Sequence, residues 1–337
     1  MDRRPQARRA ACDNSPVLDI LLITFPFFAL VLCGYIAARR RMLPLDAIPG
    51  LNGFVLYFAL PCMLYRFGST TPLAQLLDAS LFLTYLLCAL VMVGFTVAVS
   101  LNRRIRWNDA AFGALVATFP NTGFMGVPLL VALLGAQAAG PAIVTIVVDM
   151  VITTSLCIAL SRLDGAGEHG FSRAARNALR GVLVNPMPWA ILGGAVASGL
   201  SLQLPKPVLQ TLGLLADAAS PVALFTIGAV LARSQVLAAR GDARPVPPRD
   251  YVPVALFKLI LHPLLVLLAG AGAIYLGVPL EPFALTVITL VAALPSASNV
   301  SLLAERFGAD NGRIARIILV STALAFLTFS GAVALLE

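Results

Sequence analysis

Ten apolar runs, separated by short stretches where arginines and turn residues gather, make up almost all of this chain. They cover approximately residues 18–38, 51–67, 80–101, 110–134, 140–160, 185–201, 208–232, 252–276, 282–304 and 314–336. A helix needs about 20 residues to cross a hydrocarbon core of about 30 Å, and most of these runs reach that length. The pattern predicts an all-α integral membrane protein with ten transmembrane helices.

Prolines and glycines inside these runs recur at a constant distance. Pro26 and Gly34 return as Pro186 and Gly194, in FPFFALVLCGY and NPMPWAILGGA; Pro61 and Gly68 return as Pro221 and Gly228, in PCMLYRFG and PVALFTIG. All four pairs are 160 positions apart. A later pair, Pro120 and Pro295, is 175 apart, with a polar insertion near residues 232–250 taking up the difference. Helix breakers kept in register across two halves point to internal repeats whose broken helices meet near the membrane midplane.

The arginines orient the chain. The loops after runs 1, 3, 5, 7 and 9 hold 17 of them, from Arg39 to Arg316, against six Lys or Arg on the other side, so the odd-numbered loops are expected in the cytoplasm. Both termini then face the non-cytoplasmic side of the cell membrane, the inner membrane of a bacterium. Five crossings per half make the repeats inverted: 17–163 and 185–337, with a tail over 1–16 and a cytoplasmic linker over 164–184. In that linker Phe171, Ala175, Ala178 and Val182 share one face opposite Arg173, Arg176 and Arg180, which predicts an amphipathic helix on the membrane surface or a solvated linker helix. The tail lacks the layout of a signal peptide and reads as a disordered extension or a mis-assigned start. Residues 232–250, with Pro245, Pro247 and Pro248, read as an irregular loop.

Composition agrees with this reading. Hydrophobic residues make up 59% and charged ones 12%, against roughly 25% charged in an average soluble domain. The net charge of +8 is dispersed over short loops, so it serves topology and gives no basic face for nucleic acid. Four of the five cysteines lie in apolar runs without CxxC spacing and read as small hydrophobes, leaving no metal site or cofactor implied.

The chemistry concentrates in runs 4 and 9. ATFPNTGFMGVPLL places Pro120, Asn121, Gly123, Gly126 and Pro128 within nine residues, and ALPSASNVSLL places Pro295 beside Ser296, Ser298, Asn299 and Ser301. An interior proline costs a helix about 3 kcal/mol and a glycine about 1. Both helices should therefore stop, cross as extended chain and restart, passing each other in mid-membrane. Restarted helices present N–H groups and the positive ends of their dipoles, a setting for an anion. Asn121, Thr122, Ser296, Ser298 and Asn299 add side-chain donors, or else satisfy the broken backbone. Asn121, directly after the breaker, is the stronger substrate candidate.

These motifs carry a resemblance. VLYFALPCMLYRF, TFPNTGFMGVPLL and ASPVALFTIGAVLA, with the opening LDILLITFPFFALVLCGYIAARR, resemble the auxin efflux carrier family over nearly the whole chain from about Val17. The resemblance implies its bacterial branch of malonate and organic-acid carriers, related to sodium/bile-acid symporters. It also implies a scaffold domain of helices 1, 2, 6 and 7 and a transport domain of helices 3, 4, 5, 8, 9 and 10. It places Pro120, Asn121 and Pro295 at the binding crossing. The plant carriers' long central hydrophilic loop is absent, which weakens any inference to auxin.

Charged residues within spans are costly and mark function by default. Asp149 reads as a proton-coupling acid, a cation-site residue, or a structural acid bonded to neighbouring hydroxyls. Asp217, four residues before Pro221, is a lesser candidate. Lys258 and His262 share a face at i, i+4; Lys258 either snorkels to the headgroups or points inward, to balance Asp149 or the second carboxylate of a dicarboxylate. The function expected is a secondary carrier of small organic anions such as malonate or malate, working by alternating access. The alternatives are a sodium-coupled bile-acid-type symporter and an indole-acid exporter. Its partners are the substrate and the lipid bilayer, with a homodimer left open. No GK[ST] loop, HExxH or DxxD pair occurs, so neither ATP-driven transport nor an embedded enzyme is expected.

Overall fold

The computed structural model describes residues 16–70, 78–163, 186–202, 204–240 and 246–336. The tail before residue 16 and the linker helix expected over 164–184 lie outside these residues. Among the described residues the structure is helical throughout, with no strand. We number the helices α1 (Pro16–Arg39), α2 (Leu45–Thr70), α3 (Ala79–Ser100), α4 (Trp107–Thr118), α5 (Thr122–Leu134) and α6 (Ala136–Leu160). The remainder are α7 (Pro186–Gly199), α8 (Lys206–Arg240), α9 (Val252–Tyr275), α10 (Pro282–Ala293), α11 (Asn299–Arg306) and α12 (Asn311–Leu336).

Seven helices are long and apolar enough to span a bilayer: α1, α2, α3, α6, α8, α9 and α12. Shorter apolar helices cover Thr122–Leu134, Trp189–Gly199 and Pro282–Ala293. The protein is a multi-pass helical membrane protein. Its outer surface is apolar, with Phe25, Leu87, Trp189, Leu214 and Leu327 exposed, as a surface facing lipid chains should be.

One expected loop is helical instead. α8 runs on to Arg240, past Ala232, where the apolar run ends. The added residues RSQVLAAR are good helix formers apart from one serine and one valine. The Tyr35 hydroxyl ties the extension to α1 by donating to Gln235 Oε1 at 2.6 Å. Residues 248–250 form a short 3-10 turn before α9.

Prolines shape the long helices without breaking them. Four π-helical turns occur among the described residues, at Val55–Ala59, Thr122–Gly126, Val148–Thr153 and Phe257–Leu261. Three end two residues before a proline: Pro61, Pro128 and Pro263. A proline cannot donate to the carbonyl four residues back, and its ring crowds that oxygen. Widening the preceding turn by one residue relieves both.

Helix pairing follows the glycines. α1 packs along α8, and α2 along α7, in the two most extensive helix contacts among the described residues. A Cβ at Gly34 would overlap the Phe225 carbonyl, and one at Gly228 would overlap the Val31 carbonyl. At the other pair, a Cβ at Gly194 would overlap the Tyr65 carbonyl, and one at Gly68 the Ile191 carbonyl. Each contact in one pair maps onto a contact in the other: Gly34 to Gly194 and Tyr65 to Phe225 are both steps of 160 positions, as are Val31 to Ile191 and Gly68 to Gly228. Only a residue without a side chain lets the backbones approach this closely.

Candidate functional site

The site begins where α4 and α10 stop. A residue before proline is driven out of the helical region, because the proline ring clashes with its backbone and Cβ. Phe119 (φ −79°, ψ 104°) and Leu294 (φ −63°, ψ 156°) are accordingly extended, ahead of Pro120 and Pro295. Chain resumes as helix at Thr122 on one side and Asn299 on the other. The two extended stretches lie antiparallel and form a single bridge between Pro120 and Ser296. The Asn121 N–H donates to the Pro295 carbonyl at 2.8 Å, and the Ala297 N–H to the Phe119 carbonyl at 3.0 Å. These bonds satisfy backbone groups that burial would otherwise leave orphaned. The Ser296 N–H is taken up by Ser321 Oγ of α12 at 3.2 Å.

A pocket opens beside this bridge, with about 350 Å³ of empty space when the part open to solvent is counted. Pro120, Asn121 and Asn299 line it, together with Phe119, Gly123, Phe124 and Ala297 of the crossing chains. Leu60 and Leu64 close it from α2, and Ile146 and Met150 from α6. Thr122, Pro295, Ser296 and Ser298 are buried beside the crossing but do not line the pocket. Thr122 Oγ1, Ser296 Oγ and Asn299 Oδ1 are buried without a hydrogen-bond partner. Unpaired buried polar atoms are costly, so their concentration here marks a place where a ligand or water would complete the bonding. Ser298 has a structural part, its carbonyl accepting from Ser301 Oγ at 3.0 Å.

A second polar cluster is fully enclosed. Asp149, Lys258 and His262 are 0% exposed. Asp149 accepts from the Tyr85 hydroxyl of α3 at 2.9 Å and from Thr153 Oγ1 at 3.2 Å. Lys258 Nζ donates to the Ala292 carbonyl at 2.6 Å and lies 3.1 Å from His262 Nδ1. His262 Nε2 is unpartnered, and its ring centroid stands 6.0 Å from that of Tyr85. Lys258 thus points inward and does not snorkel. Ala292 belongs to the last turn of α10, where carbonyls lack helical partners and the dipole is negative, so a buried ammonium there has a physical reason. Asp149 and Lys258 both sit in π-helical turns.

Asp217 joins neither cluster. It pairs with Arg66 at 2.6 Å, and its side chain is 70% exposed. Sequence reasoning also missed three participants: Tyr85, Ser321 and the apolar wall of Leu60, Leu64, Ile146 and Met150. Tyr85 could have been found, because a tyrosine in mid-span requires a partner for its hydroxyl. The apolar wall carries no signal that separates it from ordinary core.

Opposed broken helices, a pocket at their crossing that presents two asparagines, and a buried cluster of Asp149, Lys258 and His262 define a membrane transport protein. Residues 20–333 match the protein family described as membrane transport protein, and the chain belongs to that family, which is one of transporters and includes auxin efflux carriers. It is 29% identical over 316 residues to the "Putative malonate transporter" of Rhizobium meliloti, covering 93% of this chain and 94% of that one. It is 27% identical to the "Uncharacterized transporter YfdV" of Escherichia coli K12, covering 84% of this chain and 86% of that one. Auxin efflux carrier component 7 of Arabidopsis thaliana is 28% identical over 154 residues, which is 44% of this chain and 24% of that one.

Proposed function

We propose that this protein is a secondary carrier of small organic anions that works by alternating access across the cell membrane. The observation that carries the reading is the bridge between Pro120 and Ser296, with Asn121 lining a pocket beside it. Two helices interrupted against each other aim the first turns of α5 and α11 at one place, where backbone N–H groups and dipoles favour a carboxylate. The name of the Rhizobium meliloti relative adds weight to an organic acid as cargo.

The finer architecture belongs to the same proposal. Reading α4 with α5 and α10 with α11 as single interrupted spans gives ten crossings, five per half. The paired glycine contacts, repeated at a step of 160, favour a two-fold relation between halves 17–163 and 185–337. An odd number of spans per half then makes the repeats inverted, and the arginine distribution puts both termini outside. α1, α2, α7 and α8 form the scaffold and the other helices the moving domain. The pocket has walls from both, α2 on one side and the crossing chains and α6 on the other. Movement of one domain against the other would expose it to alternate sides. Asp149 and Lys258, behind the crossing, are the coupling and charge-balancing residues.

The test is uptake by proteoliposomes holding the purified full chain, with malonate, malate and lactate offered under imposed proton, sodium and potential gradients. Saturable uptake with counterflow of labelled substrate is the expected result. Flux that is unsaturable and shows no counterflow would make the protein a channel.

A further inference from the structure

The pocket wall has a charge composition that restricts its cargo, granted the carrier reading above. None of its lining residues is charged: the polar side chains are Asn121 and Asn299, and the rest of the wall is apolar or glycine. Leu60, Leu64, Phe119, Phe124 and Ile146 are buried hydrophobics, and Met150 completes that face. The buried lysine and arginine among the described residues are Lys258 and Arg313. Lys258 is engaged with the Ala292 carbonyl and His262. Arg313 donates from Nη1 and Nε to the carbonyls of Asp109 and Asp250, at 2.8 and 2.7 Å, while its Nη2 is buried without a partner. Arg66, on the helix that supplies Leu60 and Leu64, is bound to Asp217.

We infer that the crossing takes an acid with one carboxylate and an apolar body, and disfavours dicarboxylates, malonate included. One carboxylate has a place to go, against the Asn121 amide and the N–H groups of a restarted helix. A second, on the far end of the same small molecule, would find no cation in the wall, only the Asn299 amide among leucine, isoleucine and methionine side chains. Ions buried without a partner are strongly disfavoured. The same wall favours methylene groups, each of which should tighten binding by about fourfold when buried. The charge composition of the pocket, and not the name of a relative, sets this specificity.

Matched pairs of acids separate the outcomes, because each pair shares a carbon skeleton and differs by one carboxylate. Binding of hexanoate and adipate, of butyrate and succinate, and of malonate is measured by isothermal titration on the purified full chain in detergent. A binding assay avoids the passive membrane leak of short monocarboxylic acids. Hexanoate should bind tighter than adipate, and butyrate tighter than succinate, each by about tenfold or more. Hexanoate should exceed butyrate by about 15-fold, two methylenes at about fourfold each. Met150→Lys, which adds a cation at a partly exposed position of the wall, should move the preference toward adipate. Adipate, succinate or malonate binding the wild-type protein as tightly as the monocarboxylates overturns this inference and leaves the organic-anion reading standing. If none of the five acids binds, that reading falls and this inference with it.

Discussion

The Asn121 backbone N–H donates to the Pro295 carbonyl at 2.8 Å, so a residue from each half of the chain closes the crossing. Because the backbone makes this bond, the Asn121 side chain is left to face the pocket. Structural and binding duties are divided within one residue, and substitution can address the second without the first.

Asn121→Ala should therefore fold normally and transport poorly. Loss of a donor to a desolvated carboxylate costs about 1–3 kcal/mol, or about 5- to 150-fold in affinity. Uptake and thermal unfolding measured on the same preparation check this. Wild-type uptake would return Asn121 to a purely structural role.

The glycine seams make a prediction about stability. Gly34→Ala and Gly228→Ala should each destabilise the protein by about 1–3 kcal/mol, because the added methyl must push α1 and α8 apart. Gly213→Ala is the control on α8, with nothing within 4 Å of its Cβ, and should stay within about 0.5 kcal/mol of wild type or gain slightly. Thermal unfolding in detergent, followed for all three, tests the contrast.

A cross-link can test the moving parts. Thr24 Oγ1 of α1 and Ser330 Oγ of α12 are 3.5 Å apart, one in the proposed scaffold and the other in the proposed moving domain. The double variant Thr24→Cys, Ser330→Cys should lose transport when oxidised and regain it on reduction. Full flux in a fully cross-linked preparation would count against relative motion at this contact.

The buried charges should behave as a unit. Lys258→Met removes the donor to Ala292 and a buried positive charge from the cluster that holds Asp149, which should destabilise the protein by about 1–3 kcal/mol. Combining it with Asp149→Asn should restore part of that loss, since neither charge then remains alone. A double-mutant cycle on unfolding stability measures the coupling. Additive effects would mean that the two groups do not balance each other.

Coupling is tested through the same acid. Asp149→Asn keeps the hydrogen bonds with Tyr85 and Thr153 within reach while removing the only charge Asp149 contributes. Substrate binding should survive, and the response of uptake to an imposed proton gradient should be lost. Uptake that still follows the proton gradient removes Asp149 from the coupling role.

Run lengths, breakers and arginines made the membrane class readable from the chain alone, because the bilayer demands long apolar helices and punishes exposed backbone. Pro120 and Pro295 were legible as helix stops for an equally local reason: the missing N–H and the pre-proline clash act within a few residues. What lay beyond was non-local. The helical course of residues 233–240 depends partly on Gln235 meeting Tyr35 two hundred positions away. Whether Lys258 turned to the headgroups or inward was undecidable from its place on α9, since both choices satisfy an ammonium. The carbonyl of Ala292, brought to it by the fold, decided the matter. Asp149 could be seen as buried and charged, but its donor Tyr85 sits 64 positions earlier on another helix. The sequence by itself determined that the chain is a bundle of apolar helices, that two of them stop at Pro120 and Pro295, and which residues bear charge, because those follow from local sterics and from the solvent. Only the tertiary structure decided the register in which the two broken ends meet and which partners the buried charges find. It also decided that the pocket wall is uncharged, because contacts between distant segments are set by packing.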